Sequence, residues 1–315
     1  MTTTAAGTTE RVAVRGVEGD LRHLTTEHER AEWEWPTSVW IGDHAGGDHD
    51  VLSLGIDIGS TSTQVVLMGD KEVIAYSSVR TGSQTSRSER KAREAIFAET
   101  DALDEGDVDY AVGTGYGRVN LESVDKTITE IACHGKGANY FYGPSVRTLL
   151  DMGGQDLKAI RIDGKGKVQN FLMNDKCAAG TGRGVESFAD VLGVSIEAIG
   201  PMSLEVDGEP DPVSSTCVVF AKDEATALLR DGVPAADVAA AYHLSLVDNV
   251  MELLQRVGVE EDFAITGGIA KNPGVVERLE SSLGVEALDP EFDTQIAGAA
   301  GAAFFAAGLY AQQRS

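Results

Sequence analysis

The stretch LGIDIGSTSTQVVLM, residues 54–68, decides the fold. An apolar strand ends near Asp57, Gly59 follows, and a second apolar strand begins after a run of hydroxyl residues. Gly59 permits a tight turn and lets an anion approach the backbone. An aspartate at the strand end suits Mg²⁺ and an attacking water. The hydroxyl residues that offer further donors are Ser60, Thr61 and Ser62. An ordinary glycine-containing hairpin is the alternative interpretation of this stretch alone.

Two later segments strengthen the phosphate-binding interpretation. LLDMGGQDLKAIRI, residues 149–162, repeats the design with a second strand-end aspartate, Asp151. Its turn residues would clamp the same phosphates, and they are Gly153, Gly154 and Gln155. AITGGIAKN, residues 264–272, brings Gly267 and Gly268 to a helix start, where anions and a flat nucleobase are accommodated. Neither a Walker A loop nor a GxGxxG fingerprint is present.

Strand and helix signals alternate after residue 50, which is typical of α/β proteins. The two hairpins indicate an internal duplication, and therefore two similar lobes that face each other across a cleft. We expect a first lobe over residues 51–145. A second lobe over residues 146–315 is expected to include a C-terminal helix that returns to the nucleotide site.

Residues 1–50 differ from the rest of the chain, because they hold all three tryptophans and four of the six histidines. They show no sustained helical or strand period. We expect a partly ordered N-terminal arm. Its tryptophans either pack on the main domain or dock a partner, since tryptophan is favoured at interface hot spots.

The composition limits the function classes. The net charge is −24, with 26 basic residues against 50 acidic ones, so nucleic acid and anionic membranes are not expected partners. A solvated acidic surface and an acidic docking face both remain open. No apolar run of membrane-spanning length and no signal-peptide pattern is found, so we expect a cytoplasmic protein.

Three cysteines in such a chain argue against a disulfide framework. Cys133 and Cys177 lie beside Lys or His and near glycines at probable helix starts, a setting that favours the metal-binding thiolate. Partly buried free cysteines are the alternative. A [4Fe–4S] cluster needs four thiolates, so two chains that supply two each would share it. Cys217 stands before an apolar run, and we expect it to be buried and structural.

The order of the three phosphate and adenosine motifs resembles the actin, Hsp70 and sugar-kinase superfamily. This resemblance implies an actin-like ATPase fold, with duplicated ribonuclease H-like lobes and ATP with Mg²⁺ in the cleft between them. In that arrangement the expected catalytic residues are Asp57, Asp151 and Gln155.

Five motifs resemble more specifically the ATPases that activate 2-hydroxyacyl-CoA dehydratases and the ATPase subunits of benzoyl-CoA reductases. They are ITEIACHGKGA, LLDMGGQDLKAI, NFLMNDKCAAGTGR, SSTCVVFAKDEA and ITGGIAKNPGVV. The resemblance implies that two ATPase subunits, identical or paralogous, share one [4Fe–4S] cluster through Cys133 and Cys177. It also implies an acceptor reductase or dehydratase, and a ferredoxin or flavodoxin as electron donor.

The choice between the two acceptor types stays open, although RTGS, GANYFYGPSVRT and GTGRGVE look nearer to the benzoyl-CoA reductase subunits. An iron-free sugar or acyl kinase and a filament-forming or regulatory actin-like protein are the rivals on the same fold.

Overall fold

The computed structural model describes residues 8–24, 37–100, 102–174, 180–214 and 217–314. The chain divides into two compact units. Unit 1 comprises residues 1–144, 165–167 and 290–315, and unit 2 comprises residues 145–164 and 168–289.

Unit 1 is built on one sheet with the strand order β1-β2-β3-β6-β5-β4-β7-β8. Its strands are β1 (Thr9–Val14), β2 (Val17–Leu24), β3 (Thr37–Gly42), β4 (Leu52–Ile58), β5 (Ser62–Gly69), β6 (Glu72–Arg80), β7 (Tyr110–Thr114) and β8 (Lys126–Thr127). Its helices are α1 (Thr85–Glu99), α2 (Glu130–Tyr142) and α8 (Ala297–Arg314). Strands β4 and β5 are almost entirely buried, which explains their nearly continuous apolar sequence.

Unit 2 contains a sheet with the strand order β11-β10-β9-β12. Its strands are β9 (Thr148–Met152), β10 (Leu157–Ile162), β11 (Val168–Asn174) and β12 (Phe263–Thr266). Its helices are α3 (Gly182–Leu192), α4 (Ile196–Met202), α5 (Val218–Arg230), α6 (Ala235–Val257) and α7 (Pro273–Leu283). The core of this unit includes the stacked rings of Phe188 and Tyr242, whose centroids lie 3.7 Å apart.

The strand pairing confirms the predicted duplication. Strand β4 pairs antiparallel with β5 and parallel with β7, while β9 pairs antiparallel with β10 and parallel with β12. Each central strand carries one of the two strand-end aspartates. In register beside each aspartate, the parallel neighbour contributes a threonine, Thr114 beside Asp57 and Thr266 beside Asp151.

The C-terminal helix lies in unit 1, whereas we expected it within a second lobe over residues 146–315. Its alanines and glycines let it approach β4 closely enough for backbone contact. A Cβ atom at Gly55 would lie 1.9 Å from the carbonyl oxygen of Ala299. Small residues on both elements therefore set the position of α8. The position of this helix at the end of the chain did not predict the unit to which it belongs.

The expected N-terminal arm contributes strands β1–β3 to the sheet of unit 1. Trp40 is fully buried, stacks on Tyr76 with ring centroids 5.6 Å apart, and donates its indole N–H to the Val12 carbonyl at 2.9 Å. This tryptophan therefore packs on its own domain. Trp33 and Trp35 lie outside the described residues.

One helical stretch of the described chain, Thr294–Arg314, is long and apolar enough to cross a membrane by length and composition. However, 61% of its apolar window is buried inside the protein. It packs against α2, β4 and β7, as a core helix of unit 1 does.

Candidate functional site

The turn after β4 is a tight hairpin turn that carries a buried hydroxyl group. The Gly59 N–H donates to the Ser62 carbonyl at 3.0 Å, and a Cβ atom at Gly59 would lie 2.9 Å from that oxygen. Ser60 and Ser62 are half-buried. Thr61 is only 6% exposed, and its buried Oγ1 has no hydrogen-bond partner among the described residues. Because a buried hydroxyl without a partner is costly, this turn fits a phosphate oxygen as the missing partner.

Asp57 is held at the end of β4 in space that two glycines provide. It is 5% exposed. A Cβ atom at Gly115, which has a φ of +85°, would lie 2.3 Å from its Oδ1, and one at Gly298 would lie 2.0 Å from its Oδ2. Any side chain at either position would displace the carboxylate, so glycine is required there.

Two residues of α2 lie near this carboxylate, and sequence analysis did not assign either of them a role. His134 Nε2 lies 3.5 Å from Asp57 Oδ2 and 3.9 Å from Glu130 Oε1. The Glu130 side chain is 19% exposed, so it can meet both the histidine and solvent. The usable signal was the helical spacing, because residues 130 and 134 share one face of a helix.

The hairpin of unit 2 surrounds Asp151 with a buried cation and a hydroxyl. Lys158 Nζ lies 3.2 Å from Asp151 Oδ2 and 2.9 Å from Asp156 Oδ1, and Thr266 donates to Asp151 Oδ1 at 3.0 Å. Asp151 and Lys158 are 2% and 1% exposed. Sequence analysis did not assign Lys158 a role. Its β10 register, directly opposite Asp151 on β9, is what identifies it.

Replacing Lys158 by Met is expected to lower the free energy of unfolding by about 3 kcal/mol, because one partner of a buried ion pair is removed while the aspartates remain. Methionine is unbranched and similar in volume to lysine, so packing changes little. Urea unfolding measures the difference. Lys126→Met, at an exposed position, is the matched control and should stay within about 0.5 kcal/mol of the parent protein. Equal effects of the two substitutions would show that the Lys158 pairs contribute nothing.

The turn of the second hairpin contacts the start of α3. The Gly182 N–H donates to the Gly153 carbonyl at 3.0 Å, and the Arg183 N–H donates to the Gly154 carbonyl at 2.8 Å. Gln155 is exposed at this turn. The backbone of the turn is therefore linked directly to the helix that follows the Cys177 segment, and Cys177 itself lies outside the described residues.

The glycine pair after β12 repeats the design found after β7. Gly267 has a φ of +84°, and a Cβ atom there would lie 2.3 Å from the Met152 carbonyl oxygen. Gly268 is exposed. Gly115 after β7 is the counterpart of Gly267, because each follows the threonine that pairs in register with a strand-end aspartate. We predicted the second glycine turn from sequence and missed the first.

The surroundings of Cys133 do not favour the predicted iron binding. Cys133 is 0% exposed and packs in an apolar cluster with Tyr110, Val112 and Ala302. Burial raises the pKa of its thiol to about 12, so the thiolate is disfavoured. The physical reason is the close α2–α8 contact, since a Cβ atom at Gly301 would lie 1.9 Å from the Cys133 carbonyl oxygen.

Cys217 also differs from expectation. It is half-buried rather than buried, and it is the N-cap residue of α5. The first turn of that helix points outward, with Val219 60% exposed and Phe220 64% exposed. Helix α5 packs against α3 within unit 2. The Cys217 thiol is therefore partly accessible at the N-terminus of a helix.

Two strand-end aspartates, each beside a threonine–glycine strand end and a phosphate-type turn, define a duplicated actin-like ATPase. The chain belongs to the BadF/BadG/BcrA/BcrD ATPase family, which it matches over residues 54–306. Strands β1–β3 precede the matched segment.

Named relatives and solved structures agree with this placement. The chain is 42% identical to the activator of lactoyl-CoA dehydratase of Anaerotignum propionicum, over 81% of this chain and 97% of that protein. It is 32% identical to one of the subunits of benzoyl-CoA reductase from Thauera aromatica, over 81% of this chain and 93% of that protein. The structure of the 2-hydroxyisocaproyl-CoA dehydratase activator from Clostridium difficile with bound ADPNP matches with a TM-score of 0.79 and 34% identity, covering 84% of this chain and 97% of that chain.

These identities run opposite to the impression that three short motifs gave. The dehydratase activator is more similar to this chain than the benzoyl-CoA reductase protein is, at 42% against 32%. Motifs such as GANYFYGPSVRT occupy α2 and the start of β9, where packing within each unit constrains the sequence.

Proposed function

We propose that this ATPase is an electron activator that holds one [4Fe–4S] cluster between two chains. It couples ATP hydrolysis to low-potential electron transfer into an enzyme that processes a CoA thioester. The acceptor is a 2-hydroxyacyl-CoA dehydratase rather than a benzoyl-CoA reductase, and the higher identity to dehydratase activators supports this choice. A ferredoxin or flavodoxin as donor and a cytoplasmic location are parts of the same proposal.

The observation that carries the proposal is the placement of Cys217 in unit 2. Cys217 stands directly before α5, Cys177 stands shortly before α3 in the sequence, and α3 packs against α5. Cys217 is accessible enough to bind metal, whereas Cys133 lies in the core of unit 1. We therefore assign the cluster thiolates to Cys177 and Cys217. When bound, the cluster supplies one-electron redox chemistry at low potential.

Two chains are needed because this assignment gives two thiolates per chain and a [4Fe–4S] cluster takes four. The flanks of both cysteines carry exposed apolar side chains. Phe171 and Met173 on β11, shortly before Cys177, are 44% and 43% exposed, and Val219 and Phe220 follow Cys217. Exposed apolar residues that flank a shared ligand set fit an interface between two copies or between paralogues.

On the nucleotide side, the proposal gives each hairpin a phosphate-binding role. The turn of unit 1 offers Gly59, Ser60, Thr61 and Ser62, and the turn of unit 2 offers Gly153 and Gly154. Mg²⁺ neutralises phosphate charge, and the chain's own contribution is to position groups rather than to supply a nucleophile. Asp57 and Asp151 organise the ion and the attacking water, and Gly267 and Gly268 accommodate the adenosine.

The link between hydrolysis and the cluster runs through α3. The Gly153 and Gly154 carbonyls accept hydrogen bonds from Gly182 and Arg183 at the start of that helix. A change in the phosphates at this turn therefore reaches α3 through two backbone contacts. Because α3 packs against α5, both segments that carry the cluster cysteines respond to the same turn.

An iron-free sugar or acyl kinase is the second candidate. It uses the same hairpins but transfers phosphate to an acceptor hydroxyl or carboxyl. This function does not explain the exposed apolar side chains near Cys177 and Cys217.

The two candidates differ in where the γ-phosphate goes. Anaerobically prepared protein with Mg²⁺–ATP and no added acceptor is expected to release phosphate in amounts equal to the ADP formed, because water is the acceptor. Phosphate and ADP are measured in parallel, and Asp57→Asn protein prepared in the same way accounts for a contaminating ATPase. Phosphate release that begins only when a sugar or carboxylic acid is added would favour the kinase.

A further inference from the structure

The environment of Asp57 contains one imidazole whose role the proposed function leaves unassigned. His134 Nε2 faces Asp57 Oδ2 at 3.5 Å, and both side chains are 7% exposed. Glu130 is a further neighbour of the imidazole, with Oε1 3.9 Å from Nε2. In a nearly buried setting, a polar contact of this kind orients a carboxylate far more firmly than water does.

The imidazole is carried on a rigid frame. A Cβ atom at Gly137 would lie 1.9 Å from the Ala297 carbonyl oxygen, so α2 and α8 touch through their backbones. Helix α8 in turn touches β4 through Gly55. The helix that carries His134 and the strand that carries Asp57 are therefore fixed relative to each other. Such support by packed backbone is what preorganised sites require.

From this geometry we infer that His134 is a positioning residue for hydrolysis, one that fixes the Asp57 carboxylate and leaves the nucleotide to other residues. The inference rests on the proposed role of Asp57 with Mg²⁺ and water. Nε2 faces Oδ2 at 3.5 Å, while Gly298 and Gly115 keep the space around both carboxylate oxygens clear. A histidine that only filled the core would be replaceable by a leucine of similar volume.

Substitution of His134 by leucine and by glutamine distinguishes a positioning role from a role in core packing alone. His134→Leu removes the imidazole, and we expect kcat for ATP hydrolysis to fall by about 10- to 100-fold. The affinity for Mg²⁺–ATP should fall by less, only several-fold, because a misplaced catalytic group costs more in rate than in substrate binding. His134→Gln places an amide N–H near the same point and should restore most of kcat. Melting curves of both variants verify folding.

The contact with Asp57 is tested by a double-mutant cycle. In an Asp57→Asn background, His134→Leu should reduce kcat by less than about twofold, because the group through which it acts is already lost. Additive losses, equal losses with leucine and glutamine, or an effect confined to KM would overturn the inference.

A binding measurement is independent of turnover. Calorimetric titration of the whole protein with ADP should give the same affinity for parent and His134→Leu protein without Mg²⁺, and an affinity gain from Mg²⁺ that is several-fold smaller in the variant. An unchanged Mg²⁺ effect would contradict the role of His134. If the parent protein binds Mg²⁺–ADP but does not hydrolyse ATP, that result counts against the proposed function. The effect of Mg²⁺ on ADP affinity would still show whether His134 positions Asp57.

Discussion

Asp57→Asn is expected to lower kcat for ATP hydrolysis at least about 100-fold, since phosphoryl transfer depends on positioning and electrostatics. Asparagine has the same shape as aspartate, so the space that Gly115 and Gly298 leave is still filled. What is lost is the negative charge at the end of β4. Binding of ADP without Mg²⁺ should change little, which separates a catalytic loss from unfolding.

The matched control for this substitution is Asp109→Asn. The Asp109 carboxylate accepts a hydrogen bond from the Leu52 N–H at 2.9 Å, at the opposite end of the same strand. An asparagine oxygen accepts that bond equally well, so hydrolysis by this variant should stay close to that of the parent. If Asp57→Asn protein hydrolyses ATP within about threefold of the Asp109→Asn control, the assignment of Asp57 is wrong.

The sequence predicted both hairpins because their chemistry is local. The pattern of a strand, an Asp-x-Gly turn and a second strand predicts a hairpin without information from the rest of the chain. The hairpins β4–β5 and β9–β10 lie where this pattern predicts them. The glycine turn after β12 was predictable for the same reason. Resemblance then predicted the ATPase family, and the family match confirms that membership.

The roles of residues that depend on tertiary contacts were not predictable from the sequence. Lys158 matters because β10 register places it opposite Asp151, and His134 matters because α8 holds α2 against β4. The N-terminal strands β1–β3 escaped prediction because Trp40 packs across strands and follows no simple period. Each of these features depends on elements that are distant in sequence.

The cysteines show most clearly where prediction from local sequence fails. Cys133 follows an apparent helix start and precedes a histidine, so its local sequence favours a thiolate. Its side chain nevertheless faces the small residues of α8 and is sealed in the core. Cys217 precedes an apolar run, which suggested burial, yet the first turn of α5 exposes Val219 and Phe220. For both cysteines the observed burial is therefore the opposite of what the neighbouring residues suggested.

Cys217→Ala is therefore expected to abolish the cluster entirely. Removing two of the four thiolates that two chains provide leaves too few ligands to hold four irons. Cys177→Ala should have the same effect. Cys133→Ala replaces a buried thiol by a smaller apolar group in the α2–α8 contact. We therefore expect this substitution to lower the stability of the fold and to leave iron binding unchanged.

The decisive measurement is the iron and sulfide content of anaerobically purified parent protein and of these three alanine variants, with the visible spectrum and the molar mass in solution. We expect about four irons per pair of chains in the parent and in Cys133→Ala protein, and none in Cys177→Ala or Cys217→Ala protein. Iron that is retained in Cys217→Ala protein and lost in Cys133→Ala protein would contradict the assignment. Parent protein that stays free of iron after anoxic reconstitution would contradict the electron-activator function itself.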